Sequence, residues 1–299
     1  MASKRAIEVN TLDQLAEGFQ ESRGIADKLS LEQMIELAKE KVSGGEDKFN
    51  QLMNKTITEV TAEDLEGVTD IPLCAFMDCS LLESVTFPDS IRKILSQAFK
   101  LCTSLTRIIL HDNITLIDAN AFEWCQGLID VIFGSGLTQI GSYAFRNCTS
   151  IENIIIPDSV TSIGTYTFNG CTSLVSVILG KGIKEAKGYA FQNCTSLTSI
   201  TFGDETTRIS SSCLSGCTSL TNVTIPATIK YVESGALQIG SSTNKATITF
   251  LGNTPPSISS NIFNADYLEK IIVPIGCGDA YKSATNWANF ADYIEEATE

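Results

Sequence analysis

A single histidine, His111, serves all 299 residues. Mechanisms that pair a Ser or Cys nucleophile with His have one base to draw on, and no nucleophile stands beside it by pattern. His111 occupies a turn slot that holds Pro elsewhere and reads as a surface turn residue. Positive charge is scarce too: 21 Lys and Arg face 35 Asp and Glu, a formal net charge of −14. A chain without a basic stripe is a poor partner for nucleic acid or anionic lipid, and neither is expected. No apolar run approaches the ~18 residues that a membrane span needs, so no membrane insertion is expected. The opening MASKRAIEVNTLDQL lacks the apolar core of a secretory signal. The chain is expected to work where it is made, to leave by another route, or to have had a signal cut away. No Cys-x-x-Cys pair or His/Cys/Asp cluster has metal spacing, so no metal or cofactor is expected. Gly134-x-Gly136 and Gly180-x-Gly182 are too brief for phosphate loops and open no helix. The carboxylates are scattered, with no glycosidase pair among them. These absences together predict a chain that is not an enzyme.

What is present is repetition. Of ten cysteines, seven fall at Cys79, Cys102, Cys125, Cys148, Cys171, Cys194 and Cys217, in steps of 23 residues. Three residues before these stand Phe76, Phe99, Phe122, Phe145, Phe168, Phe191 and Leu214. Six residues after come Val85, Ile108, Val131, Ile154, Val177, Ile200 and Val223; eight after, Phe87, Leu110, Phe133, Ile156, Leu179, Phe202 and Ile225. Fifteen after, an aliphatic slot runs from Ile94 to Val232, with Ala186 in one coil. Positions six and eight alternate inward, which predicts a short strand there. Thr-Ser pairs after the Cys, such as Thr149-Ser150, suit a turn. Pro88, Pro157 and Pro226, or Gly134, Gly180 and Gly203, stop the strand. A coil of this size cannot bury its own apolar edge, and stacking makes one continuous core. The Cys ladder reads as buried free thiols in a tight corner, with disulfides or metal as the alternatives. Cys213 takes an Ala slot and reads as core; Cys277 has no place in this pattern.

The motif A-F-x-x-C-T-S-L-x-x-I-x-I-P-x-S-V-x-x-I-G, matched best by Ala144–Gly164 and covering about 71–233, resembles the BspA-like subclass of leucine-rich repeats. The resemblance implies an α+β repeat fold: a leucine-rich-repeat solenoid of seven full coils with a parallel strand face, N-terminal helices and a mixed C-terminal cap. Drift at Thr206 and Leu214 predicts less regular coils there.

Three regions are expected: a helical leader over 1–50, the solenoid with an N-terminal capping coil over 51–233, and a degenerate repeat plus cap over 234–299. In the leader, Thr11-x-x-Gln14 and Ser30-x-x-Gln33 are capping boxes, each opening an amphipathic helix. Such short helices must pack on the solenoid, on each other in an oligomer, or on a partner. At the other end, 279–299 has helical spacing, with Tyr281, Trp287, Phe290 and Tyr293 as a packing face. The leader, with Ser30-Leu31-Glu32-Gln33-Met34 at its second helix, also resembles the one that precedes such repeats in tail-associated structural proteins of phages of gut Firmicutes. That resemblance implies a virion attachment made in the cytoplasm without a signal peptide, present in the virion or outside the cell after lysis. The repeat resemblance alone implies a bacterial cell-surface adhesin. A purely structural scaffold subunit is the third reading.

On the strand face, outward slots carry Ile109, Ile132, Ile155 and Ile178 in line, flanked by Ile129 and Val175 and by polar Arg107, Asp130 and Asn153. An apolar strip with a polar rim is typical of a contact surface. β-Branched residues also suit strands anywhere, and the leader helices could cover the strip. The partner expected for this face is a protein or glycan on a host cell surface. Residues 1–50 are expected to meet virion or sister subunits, with a homo-oligomer as one outcome. A second ladder, Tyr143, Tyr166 and Tyr189, reads as packing between coils, with a hot-spot role as the alternative.

Overall fold

The computed structural model describes residues 51–52 and 54–298. The expectations for the leader, including its two helices, its phage-like phrase and its partners, lie outside these residues. From Lys55 onward the chain forms one unit, a parallel solenoid with two strand walls.

The first wall is built from Glu59–Val60, Ser84–Val85, Arg107–Ile109, Asp130–Ile132, Asn153–Ile155, Ser176–Ile178, Ser199–Thr201, Asn222–Ile225, Ala246–Phe250, Leu268–Val273 and Ile294–Glu296. The second wall is built from Asp70–Ile71, Lys93–Ile94, Leu116–Ile117, Gln139–Ile140, Ser162–Ile163, Glu185–Ala186, Arg208–Ile209, Tyr231–Val232 and Ser257–Ile258. Every pairing among the described residues is parallel, and in the repeat region partners stand 23 residues apart, as in Ile154↔Val177 and Ile94↔Ile117. The strands are short because inward residues alternate with outward ones for only two or three positions before the chain must turn. Between the walls, a corner adds a third ladder: Phe99 N–H donates to Ala121 O at 2.7 Å and Phe122 N–H to Ala144 O at 2.8 Å.

The core is the set of slots that the repeat defines. Phe76 through Phe191 stack in one column, centroids 5.0–5.5 Å apart and rings within 11° of parallel. Beside it runs the thiol column. None of the ten cysteines forms a disulfide, and the seven of the ladder are fully buried. Six of these thiols, from Cys102 onward, also have a polar task that the spacing did not reveal. Cys102 Sγ donates to the Phe76 carbonyl, and the same bond recurs to Cys217 and Phe191, at 3.1–3.2 Å. Burial pushes the thiol of Cys171 up to about 12, and the other ladder thiols are raised for the same reason.

Two corners of each coil adopt left-handed backbone. One is the slot before the Cys: Asp78, Leu101, Trp124, Asn147, Gly170, Asn193 and Gly216, with φ between 59° and 80° for the last four. The other holds Tyr143, Tyr166 and Tyr189 at φ 58–61°. This conformation strains any residue with a Cβ. It is held because neighbouring coils bond the same backbone on both sides, as in Tyr143 N–H to Thr165 O and Asn147 N–H to Asn169 O. Glycine is required elsewhere for closeness: a Cβ on Gly136 would lie 1.8 Å from the Asp112 carbonyl of the coil below.

The C-terminal end differs from the expected layout in one respect. The ladder continues past 233. Ala246–Phe250 pairs with Asn222–Ile225, then with Leu268–Val273, which pairs with Ile294–Glu296. The difference is that 279–299 is not one helix. Gly278–Ser283 is helical, Asn286 turns left-handed at φ 66°, Trp287–Tyr293 is a 3-10 segment and Ile294–Glu296 is a strand. The reason is packing: Tyr281, Trp287 and Phe290 bury against Phe250 and Phe263, while Ile294 must reach the ladder edge. Cys277 stands at the N-cap of the short helix. The Glu296 carboxylate accepts from Gly276 and Gly278 N–H at 2.9 and 2.8 Å, which ties the last strand back to this helix.

The coils expected to drift keep part of their register. Thr206 is fully buried and donates to the Ile183 carbonyl at 2.8 Å, satisfying its hydroxyl where an aliphatic side chain stands elsewhere. The second wall runs unbroken past it from Glu185–Ala186 to Ser257–Ile258, having been interrupted after Ser162–Ile163, while the first wall is interrupted after Ser84–Val85, after Asp130–Ile132 and again between Ser199–Thr201 and Asn222–Ile225.

Candidate interaction surface

The first wall presents its odd slots to solvent because its even slots are committed to the core. Val131, Ile154 and Val177 point inward and are buried; the residues on either side point out. Cross-strand register then aligns the outward residues: Arg107↔Asp130, Ile109↔Ile132, Asn153↔Ser176 and Ile155↔Ile178. Seven of the nine predicted site residues lie in the strands of this wall over four consecutive coils, and Ile129 and Val175 stand immediately before two of those strands. Ile109, Ile129, Ile132, Ile155, Val175 and Ile178 are 41–64% exposed.

The polar neighbours are occupied with one another. Arg107 Nε stands 3.9 Å from the Asp130 carboxylate. Ser176 Oγ donates to Asn153 Oδ1 at 2.6 Å. The wall between them is left to the isoleucines, whose hydration is unfavourable. On the same wall the column continues into Thr201 and Thr224, beside a shallow hollow of about 310 Å³ lined by Ser199, Thr201, Asn222, Thr224 and Pro226. This hollow was missed in the sequence because it arises where the ladder is interrupted, and no residue type marks such a seam.

The tyrosine column behaves as packing. Tyr143 and Tyr166 stack at 5.0 Å and Tyr166 and Tyr189 at 4.4 Å, so each ring covers the next. The Arg146 guanidinium lies 5.5 Å from the Tyr143 ring centre. Arg146 also pairs with the buried Glu123 carboxylate at 3.3 Å, which holds Lys100 at 2.8 Å. His111 stands in a turn, its ring Nε2 2.9 Å from the Pro88 carbonyl, with no nucleophile among its hydrogen-bond partners. Among the described residues, no three His, Cys, Asp or Glu side chains converge as metal ligands. No helix among them is long and apolar enough to cross a membrane.

A stacked coil with two parallel walls, a cysteine corner and an exposed strand face defines the leucine-rich-repeat class of proteins. Within it, residues 48–175 and 138–269 match the family described as BspA type leucine rich repeat region, in six copies. The chain belongs to that family. Among solved structures, it is similar to the T. pallidum leucine rich repeat protein TpLRR at 32% identity and a TM-score of 0.51, covering 55% of this chain and 78% of that one. It is also similar to a leucine rich cell surface protein of Faecalibacterium prausnitzii A2-165 at 22% identity and a TM-score of 0.34, covering 78% and 80% of the two chains. No curated protein matches.

Proposed function

We propose that the chain is a non-enzymatic protein-interaction module whose isoleucine stripe is its contact surface, displayed on a bacterial cell. The observation that carries this reading is the stripe itself. Four isoleucines stand in line on consecutive coils, exposed, with their polar neighbours already paired. Aligned apolar side chains release ordered water when covered by a partner of matching shape, and a protein offers such a surface more readily than a glycan. Membership of the BspA-type repeat family supports the adhesin reading over the virion one. The virion reading rests on the leader, and nothing in the comparisons speaks for it. Cell-surface display is tested by protease shaving and antibody labelling of intact producing bacteria; a protein found only after lysis overturns it. Contact is tested with fluorescently labelled chain on intact host epithelial and bacterial cells. Replacing Ile132 and Ile155 together by Asp should lower binding at least ten-fold while leaving the far-UV spectrum unchanged. Binding that survives the double substitution removes the stripe from the function.

A further inference from the structure

We propose that the stripe binds a second copy of this chain, face to face, about a two-fold axis parallel to the strands. The inference rests on the reading of the stripe as a contact surface and names its partner. The axis falls between the coils of Ile132 and Ile155. It sets Ile132 against Ile155 of the other copy, and Ile109 against Ile178, so every isoleucine meets an isoleucine.

Three observations favour a copy of the same chain. The first is symmetry of the patch. The four isoleucines are bounded at both ends by threonine in the same column, Thr86 and Thr201, so the patch maps onto itself when the coil order is reversed, which an isologous contact needs. The second is charge. The axis brings Arg107 opposite Ser176, Asp130 opposite Asn153 and Ile129 opposite Glu152, with no like charges facing. Although the chain carries −14 overall, residues 71–245, which contain the stripe, hold 11 basic against 13 acidic residues. The third is area. The six apolar residues, at 41–64% exposure, offer about 500 Å² per copy, or about 1,000 Å² for the pair before the polar rim is added; that is the lower range of specific contacts. Four coils span only about 14 Å. An axis along the stack would instead turn Ile129 and Val175 toward the partner's turns rather than its strands.

The test uses the full chain in sedimentation velocity from about 1 to 200 µM. The wild type should pass from monomer to dimer, and the Ile132→Asp, Ile155→Asp variant should stay monomeric across the range. Geometry is read by cross-linking, with Cys74 and Cys277 replaced by Ser. Ile109→Cys mixed with Ile178→Cys should form a disulfide-linked pair, while either alone should not, because its own copy lies about 14 Å away along the stack. A wild type monomeric to 200 µM, a dimer indifferent to both aspartates, or Ile109→Cys linking to itself each overturns the proposal. If the wild type stays monomeric yet the aspartates still abolish cell binding, the contact surface stands and the partner is a different protein. If neither association nor cell binding responds, both readings fall.

Discussion

The two walls of the solenoid share one interior and differ on the outside. Inward slots of both walls hold the same aliphatic residues, as in Ile154 and Ile163 of one coil. Outward, the second wall shows Lys93, Leu116, Gln139, Ser162, Glu185, Arg208 and Tyr231, with no isoleucine among them, whereas the first shows Ile109, Ile132, Ile155 and Ile178. Both walls need residues that tolerate extended backbone, so strand propensity alone would place isoleucine on either. Its confinement to one wall points to something that wall contacts.

Adjacent residues on the first wall give the sharpest contrast. Ile154 is 1% exposed and Ile155 is 64% exposed. Ile154→Asp buries an unpaired carboxylate in the core and should cost more than ~4 kcal/mol, leaving a chain without a cooperative urea transition. Ile155→Asp should leave the urea midpoint nearly unchanged, within ~0.5 kcal/mol. Equal losses at the two positions would erase the distinction between the inside and the outside of this wall.

Next in size is a change in the layer that both walls share. Phe145→Ala removes one ring from the stacked column, and both neighbouring coils lose contact with it. The expected cost is ~3–5 kcal/mol by urea denaturation. Because coils couple only to their neighbours, native-state hydrogen exchange should quicken most near 122–168. Uniform loss along the chain would contradict that locality.

The thiol corner should respond less. Cys148→Ala deletes a buried donor to the Phe122 carbonyl and should cost ~1–2 kcal/mol, the carbonyl keeping its bond from Cys125 N–H. In the native protein, a thiol-reactive dye should label Cys74 and Cys277, which are half-buried, and spare the ladder until unfolding. Fast labelling of Cys148 would show that the corner opens.

The smallest effect belongs to the second wall's edge. Burial opposes ionisation of Glu233, but bonds from Arg208 and Ser211 outweigh it and hold the carboxyl below its ordinary 4.5. A carboxyl lowered in the folded state contributes stability above its unfolded value and loses it as pH falls through the folded one. Wild type should therefore lose more stability than Glu233→Gln between pH 5 and 3, by less than ~1 kcal/mol, since the pair is partly exposed. A larger difference would mean that this edge contributes to the fold far more than its exposure implies.

Much of this was legible because a 23-residue period turns sequence position into spatial position. The inward residues, the strand slots and the outward stripe all follow from counting from the cysteine. The slot before it carries its own signal, since Asn147, Gly170, Asn193 and Gly216 are the types that accept left-handed backbone. Past 233 counting is harder, because the cysteine is lost and the step lengthens, as in Asn222↔Thr247 and Tyr231↔Ser257. The 23-residue step then returns in Ile248↔Ile271 and Ile271↔Ile294, with no cysteine to mark it.

The sequence alone determined the coil, its interior and the column of isoleucines, because burial acts on each repeat identically and period fixes neighbours. Only the tertiary structure decided where the ladder is interrupted, how the last strand closes it and what each thiol bonds to. Those depend on how one backbone meets the next across space, and no local pattern of residue types encodes that meeting.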